Sequence, residues 1–134
     1  MNLIKLYLIS LPIFCVIDLL WVGVIAKNFY KEQIGHLMSP EIRWGAALLF
    51  YFLYLFGLVF FAISPAIREN SWIQALLYGA LFGLICYSTY DLTNLATLIK
   101  WPIKMVYYDL VWGAFVSGTV SFITYLIGKN FIKN

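Results

Sequence analysis

The chain has 134 residues, 63% of them hydrophobic, 19% aromatic and only 11% charged, with a net charge of +3 and a mean hydropathy of +0.88. A soluble domain carries about 25% charged residues, so a soluble globular protein is excluded. Nine basic residues scattered over every polar stretch form no nucleic-acid-binding stripe, and no nucleic-acid partner is expected.

Long uncharged windows alternate with short charged ones. That is the pattern of bilayer spans joined by brief loops. The chain is therefore read as one membrane domain over residues 1–134, partnered by the lipid bilayer. Backbone groups in lipid must be satisfied within the segment, and the apolar runs do not alternate in the manner of barrel strands. The expected fold is an all-α antiparallel bundle of four transmembrane helices.

The first span covers about residues 6–26. It is longer than the roughly 7–15 apolar residues of a signal peptide and contains Asp18, so it is read as a span and not as a leader. The connection over 27–43 is the only long one, and its first part reads as a short interfacial helix or lid. His36, the only histidine, reads as solvated, since no second histidine exists to complete a metal site. Ser39-Pro40-Glu41 reads as the helix start for the second span, about 44–64, which Ser64-Pro65 closes.

Ser71 is the expected N-cap of the third span, about 72–99. Residues 71–99 as one helix would measure about 43 Å at 1.5 Å per residue, against a hydrocarbon core of about 30 Å. A kink or break is expected near 91–94, where Thr89, Asp91, Thr93 and Asn94 cluster. The fourth span, about 103–127, starts after Trp101-Pro102. Trp44, Trp72 and Trp101 stand at span ends, as interfacial anchors do. Cys15 and Cys86 lie in apolar windows and make neither a disulfide framework nor a metal site. Four spans put both ends on one side with four Lys/Arg (Lys5, Arg68, Lys129, Lys133), against five in the opposite loops. That difference sets no orientation.

Three carboxylates fall inside spans: Asp18, Asp91 and Asp109. Each costs about 2.5–3.5 kcal/mol at mid-membrane on insertion scales, so such residues usually face the bundle interior and mark a site. All three lie about eight residues, or about 12 Å, from the loop side. Gly79, Gly83, Tyr87 and Asp91 repeat every four residues along one ridge, as do Asp109, Gly113, Ser117 and Ser121. Small residues at this spacing let membrane helices approach closely.

A hairpin centred on position 100 pairs residues whose numbers sum to 200. Asp91 then meets Asp109, Tyr87 meets Gly113, Gly83 meets Ser117 and Gly79 meets Ser121. Two facing carboxylates in low dielectric do not both stay ionised cheaply and titrate as a pair, unless a cation or a base lies between them. Asp18-Leu19-Leu20-Trp21 resembles Asp109-Leu110-Val111-Trp112, each with acid and indole three apart on one helix face. Proton-relay or binding candidates are Asp18, Asp91, Asp109, Tyr87, Tyr90, Asn94, Thr93, Trp21 and Trp112. Gly79, Gly83, Gly113, Ser117 and Ser121 are the helix-packing candidates, and no metal ligand set is expected.

D-x-x-W at 18–21, Phe29-Tyr30, Ile34-Gly35, the run W-G-A-A-L-L-F-Y at 44–51, Y-x-T-Y-D-L-T-N-L-A-T at 87–97, Trp101-Pro102 and D-L-V-W-G at 109–113 carry a resemblance. The chain resembles the small predicted bacterial membrane proteins grouped as a domain of unknown function. The resemblance implies four helices in a bacterial cytoplasmic membrane and implies no substrate.

Three function classes fit these residues. The foremost is a proton- or cation-linked site for transport or binding of a small substrate. With so few helices, a homodimer is the expected assembly. The second is an intramembrane enzyme on a lipid-like substrate, with the aspartate pair as acid and base. The third is a structural role, with the acids fixing helix register. No cofactor is implied, and no lysine lies deep in a span to hold a retinal.

Overall fold

The computed structural model describes residues 2–132, so Lys133 of the end-side charge count lies outside the described residues. Helix α1 spans Asn2–Leu20 and widens into a π turn at Trp21–Ile25. A short helix α2 (Lys27–Ile34) and a 3₁₀ turn (Gly35–Leu37) follow. Helix α3 (Trp44–Leu58) runs through a second π turn (Val59–Ile63) into α4 (Ser64–Glu69). Helices α5 (Trp72–Thr97) and α6 (Ile103–Ile132) form a hairpin. Four stretches are long and apolar enough to cross a bilayer: Leu3–Ile25, Trp44–Glu69, Trp72–Thr97 and Ile103–Phe131.

The boundaries differ from the sequence reading at three places. Ser39-Pro40-Glu41 starts no helix. The Ser39 hydroxyl instead closes a local turn on Glu41 (2.7 Å to its carbonyl, 3.2 Å from its N–H), and α3 begins at Trp44. Ser64-Pro65 does not close the second span. Pro65 lacks the N–H for a bond four residues back, and its ring presses on that carbonyl. The π turn just before it absorbs the conflict, with the Ser64 N–H reaching the Val59 carbonyl, and the helix continues to Glu69.

The third difference is in α5, which does not break at 91–94. It runs unbroken to Thr97. Thr89, Thr93 and Thr97 return their hydroxyls to the carbonyls of Ile85, Thr89 and Thr93. These side-chain bonds satisfy the threonine hydroxyls inside one helix, so the threonines force no loop. The Ser71 hydroxyl caps α5 by accepting from the Gln74 N–H at 3.1 Å. The turn after α5 places Lys100 at φ 60°, and Trp101-Pro102 leads into α6.

The α5–α6 hairpin is the most extensive contact, and α6 is also packed by α1 and by the π turn of α3. The main core joins Leu6 and Phe14 of α1, residues from Tyr54 to Ile63, and Trp112, Val116 and Val120 of α6. Before Tyr54, only Ala47 and Tyr51 of α3 are half-buried and the rest are exposed, so the first half of α3 meets the bundle mainly through Tyr51, which packs on Phe14 of α1 with ring centroids 5.5 Å apart.

Small residues set the hairpin. A Cβ at Gly79 would lie 2.5 Å from the Ser121 Cβ and 2.8 Å from the Ser117 carbonyl oxygen. One at Gly83 would collide with the Gly113 carbonyl and the Ser117 side chain, and one at Gly113 would collide with the Tyr87 ring. These pairings are those of a hairpin centred near position 100. The Ser121 hydroxyl also donates to the Ala75 carbonyl at 2.6 Å across the interface. Gly83→Ala must therefore push two backbones apart. It is expected to destabilise by about 1–3 kcal/mol, read as a lower melting temperature in detergent. Gly45→Ala, where an added Cβ meets nothing within 4 Å, is the control that should melt like the parent.

Candidate functional site

Where α3 stands away, a cavity of about 630 Å³ opens on the loop side of the bundle. Its walls come from five helices. Asp18 and Trp21 line it from α1, Tyr30 and Ile34 from α2, Ala47, Phe50 and Tyr51 from α3, Cys86, Tyr87 and Tyr90 from α5, and Asp109 and Trp112 from α6. Below it, Tyr54 and Phe82 close α3 against α5 with ring centroids 5.9 Å apart. Among the described residues, no lysine, arginine or histidine lines the cavity. The polar groups that do line it are therefore acids, phenols, indoles, a thiol and the Thr89 hydroxyl.

Each acid on the wall has a tyrosine partner. Tyr51 donates to Asp18 Oδ2 at 3.1 Å. Tyr30 donates to Asp109 Oδ1 and accepts from the Trp21 indole N–H at 3.1 Å. Asp18 keeps 7% and Asp109 4% of its surface exposed. Asp91 lies behind Asp109, 0% exposed, with no hydrogen-bond partner on either carboxylate oxygen among the described residues. Asp109 and the Trp101 indole adjoin Asp91 without closing a hydrogen bond of normal geometry.

The two D-x-x-W motifs are crossed. Trp21 and Trp112 stack with centroids 4.3 Å apart and planes 8° from parallel. Neither indole serves the acid of its own helix. Trp21 reaches Tyr30, and through it Asp109, whereas the Trp112 indole adjoins Asp18. The one-helix pairing that the spacing allows is replaced by a pairing between helices, because the stack turns each indole edge toward the opposite acid.

Tyr30 and Tyr51 escaped the sequence reading. Tyr30 lies in a polar connection, and Tyr51 sits in an apolar run without helical periodicity. The signal for Tyr30 is the apolar set Phe29, Tyr30 and Ile34 within a charged segment. These three pack on a cluster of Trp101, Met105 and Val106, and Phe29 stacks on Tyr108 at 4.5 Å. Trp101 is also not an interfacial anchor like the exposed Trp44 and Trp72. It is 8% exposed and shields Asp91.

Two sequence candidates lie off the cavity. Thr93 is two residues past Asp91, hence about 200° around the helix. It is exposed, with its hydroxyl held by the Thr89 and Tyr90 carbonyls. Asn94 is half-buried and one turn nearer the helix end. His36 is exposed in its 3₁₀ turn. Among the described residues, no three His, Cys, Asp or Glu side chains gather as a metal group.

Burial, and next the bond to the Asp109 carboxylate, hold the Tyr30 phenol above its ordinary range. Tyr30 is therefore the protonated donor at neutral pH. An unfolded chain ionises this phenol near pH 10, so the stability it supports is intact below that pH and falls as pH rises beyond it. Tyr30→Phe removes both of these bonds, leaving the Trp21 N–H without an acceptor and Asp109 without its donor. Thermal unfolding should show a loss of about 1–3 kcal/mol at neutral pH and a shallower decline above pH 10 than in the parent.

No curated protein and no solved structure matches the chain. The family model described as a predicted membrane protein (DUF2177) matches residues 3–126, nearly the whole chain. The protein is thus a multi-pass membrane protein that belongs to this family of unknown function.

Proposed function

We propose that the acid layer is a proton- or cation-linked site at which a small substrate binds or is transported. The single observation that carries this reading is Asp91, sealed beside Asp109 with both oxygens unpaired among the described residues, while Asp109 and Asp18 face one cavity that no described base lines. Three acids in one apolar layer need compensation, since each costs about 2.5–3.5 kcal/mol when charged at mid-membrane. Protons supply it in the empty site, and a cation supplies it in the loaded one. The titratable groups around Asp109 are Asp18 on α1, Tyr30 on α2, Tyr51 on α3, Tyr87, Tyr90, Cys86 and Asp91 on α5. Tyr30 and Tyr51 orient the carboxyls by donating to them.

Cation entry should therefore expel protons. In weakly buffered detergent solution, at least one member of a panel of sodium, potassium, tetramethylammonium and lipophilic cations should release protons from the parent protein, followed with a pH dye. Asp109→Asn should reduce the release about ten-fold or more, with Asp91→Asn as the second variant. Absence of release across the whole panel sinks the reading.

A second reading has one observation in its favour. The cavity lies between α3 and α5, which do not pack along each other above Tyr54, and this side access suits an enzyme acting on a lipid-like substrate. A change in membrane lipid composition caused by the parent chain, and lost with Asp109→Asn, would choose it.

A further inference from the structure

The geometry points to a lipophilic organic cation as the occupant of the cavity, entering from the bilayer between α3 and α5. This rests on the cation-linked reading above and names the substrate class for that site.

Size is the first ground. About 630 Å³ is far more than a proton or a bare ion needs and falls in the range of roughly 300–1,000 Å³ typical of drug-sized ligands. Lining chemistry is the second. The rings of Trp21, Tyr51, Tyr87, Tyr90 and Trp112 border the same space as two carboxyls. Aromatic faces attract organic ammonium and related cations, and the attraction grows when water is excluded. Aromatic walls with acids and without bases reject anions and favour positive charge spread over apolar groups.

Unpaired polar groups are the third ground. Asp91 is fully buried, has neither oxygen bonded among the described residues and adjoins Asp109 on the wall. A monovalent cation at Asp109 balances one charge of this pair, and the second carboxyl keeps a proton. The route is the fourth. Ala47, Phe50 and Tyr51 on α3 face Cys86, Tyr87 and Tyr90 on α5 across the cavity, while α3 closes on Phe82 of α5 only from Tyr54 onward. Phe50 and Tyr90, on the two walls, are both half exposed, so the proposed route runs between two spans from the lipid, where a lipophilic cation concentrates.

The test uses the full chain in nanodiscs, with empty nanodiscs as background. Tetraphenylphosphonium is titrated while tryptophan fluorescence is read, since two of the five tryptophans border the cavity. Triphenylphosphine oxide, its neutral analogue, is the comparison. Saturable tetraphenylphosphonium binding is expected, about ten-fold or more tighter than the neutral compound. Ala47→Trp, which fills the mouth without touching an acid, should weaken it by a similar factor. Where a variant folds poorly, Tyr51→Phe gives a milder second probe: it keeps the ring and loses the bond to Asp18.

Equal binding of the neutral compound overturns the inference in favour of an uncharged amphiphile. No binding of either compound, with sodium or potassium still releasing protons, overturns it while leaving the cation-linked site standing. Tight phosphonium binding together with proton release supports both. Tight binding with no proton release by any cation fails the reading on which the inference rests.

Discussion

The stack of Trp21 on Trp112 is the contact on which the rest of the acid layer depends. It joins α1 to α6 at the depth of the three aspartates and fixes where each indole edge points. One edge holds Tyr30, and Tyr30 holds Asp109. The other lies beside Asp18, which Tyr51 holds from the far wall. An apolar pair of similar area would join the helices equally well. It would offer no N–H to organise the phenol between indole and acid. The aromatic pair therefore combines close packing with direction, which aliphatic packing in lipid does not supply.

Two kinds of packing meet at that stack. Toward the chain ends, glycine and serine ridges bring α5 and α6 together, and α3 closes on them from Tyr54 onward. In lipid, hydrophobicity does not drive helices together, so close van der Waals approach and cross-helix hydrogen bonds carry this half. Toward the loops, large aromatic side chains hold the helices apart around empty space. The acids lie where the tight half gives way to the open one. That position lets Asp91 be fully enclosed while Asp109, its neighbour across the hairpin, keeps a face on the cavity.

Much of this was legible in the letters, for a specific reason. A four-residue ridge of small residues has one geometric solution in a tight hairpin, and Lys100 with Trp101-Pro102 offers a tight turn. The depth of Asp18, Asp91 and Asp109 followed from counting along helices. The letters fell short where polarity was used as a proxy for position. Thr93 looked like part of the acid cluster but lies about 200° around the helix, bonded to its own backbone. Tyr30, in a charged connection that reads as an interfacial helix or lid, carried no sign of reaching the acids, yet it folds back over the site. Tyr51 was hidden because a run apolar on all sides has no face to read. The crossed use of the two D-x-x-W motifs depends on how α1 and α6 approach each other, and one-helix spacing cannot contain it.

The π turn at Val59–Ile63 gives α3 a mechanical character. The helix is buried from Tyr54 through this turn and is held before Tyr54 mainly by Tyr51, on Phe14 and Asp18, so it is a lever held firmly at one end and lightly near its middle. The 15 residues of α3 extend about 22 Å at 1.5 Å per residue. A rotation of about 10° at the turn would sweep the Trp44 end through about 4 Å by that length, roughly the thickness of an aromatic ring. A proline-backed turn in the packed half thus lies at the pivot of a helix whose far end borders the cavity, with no residue of its own at the opening.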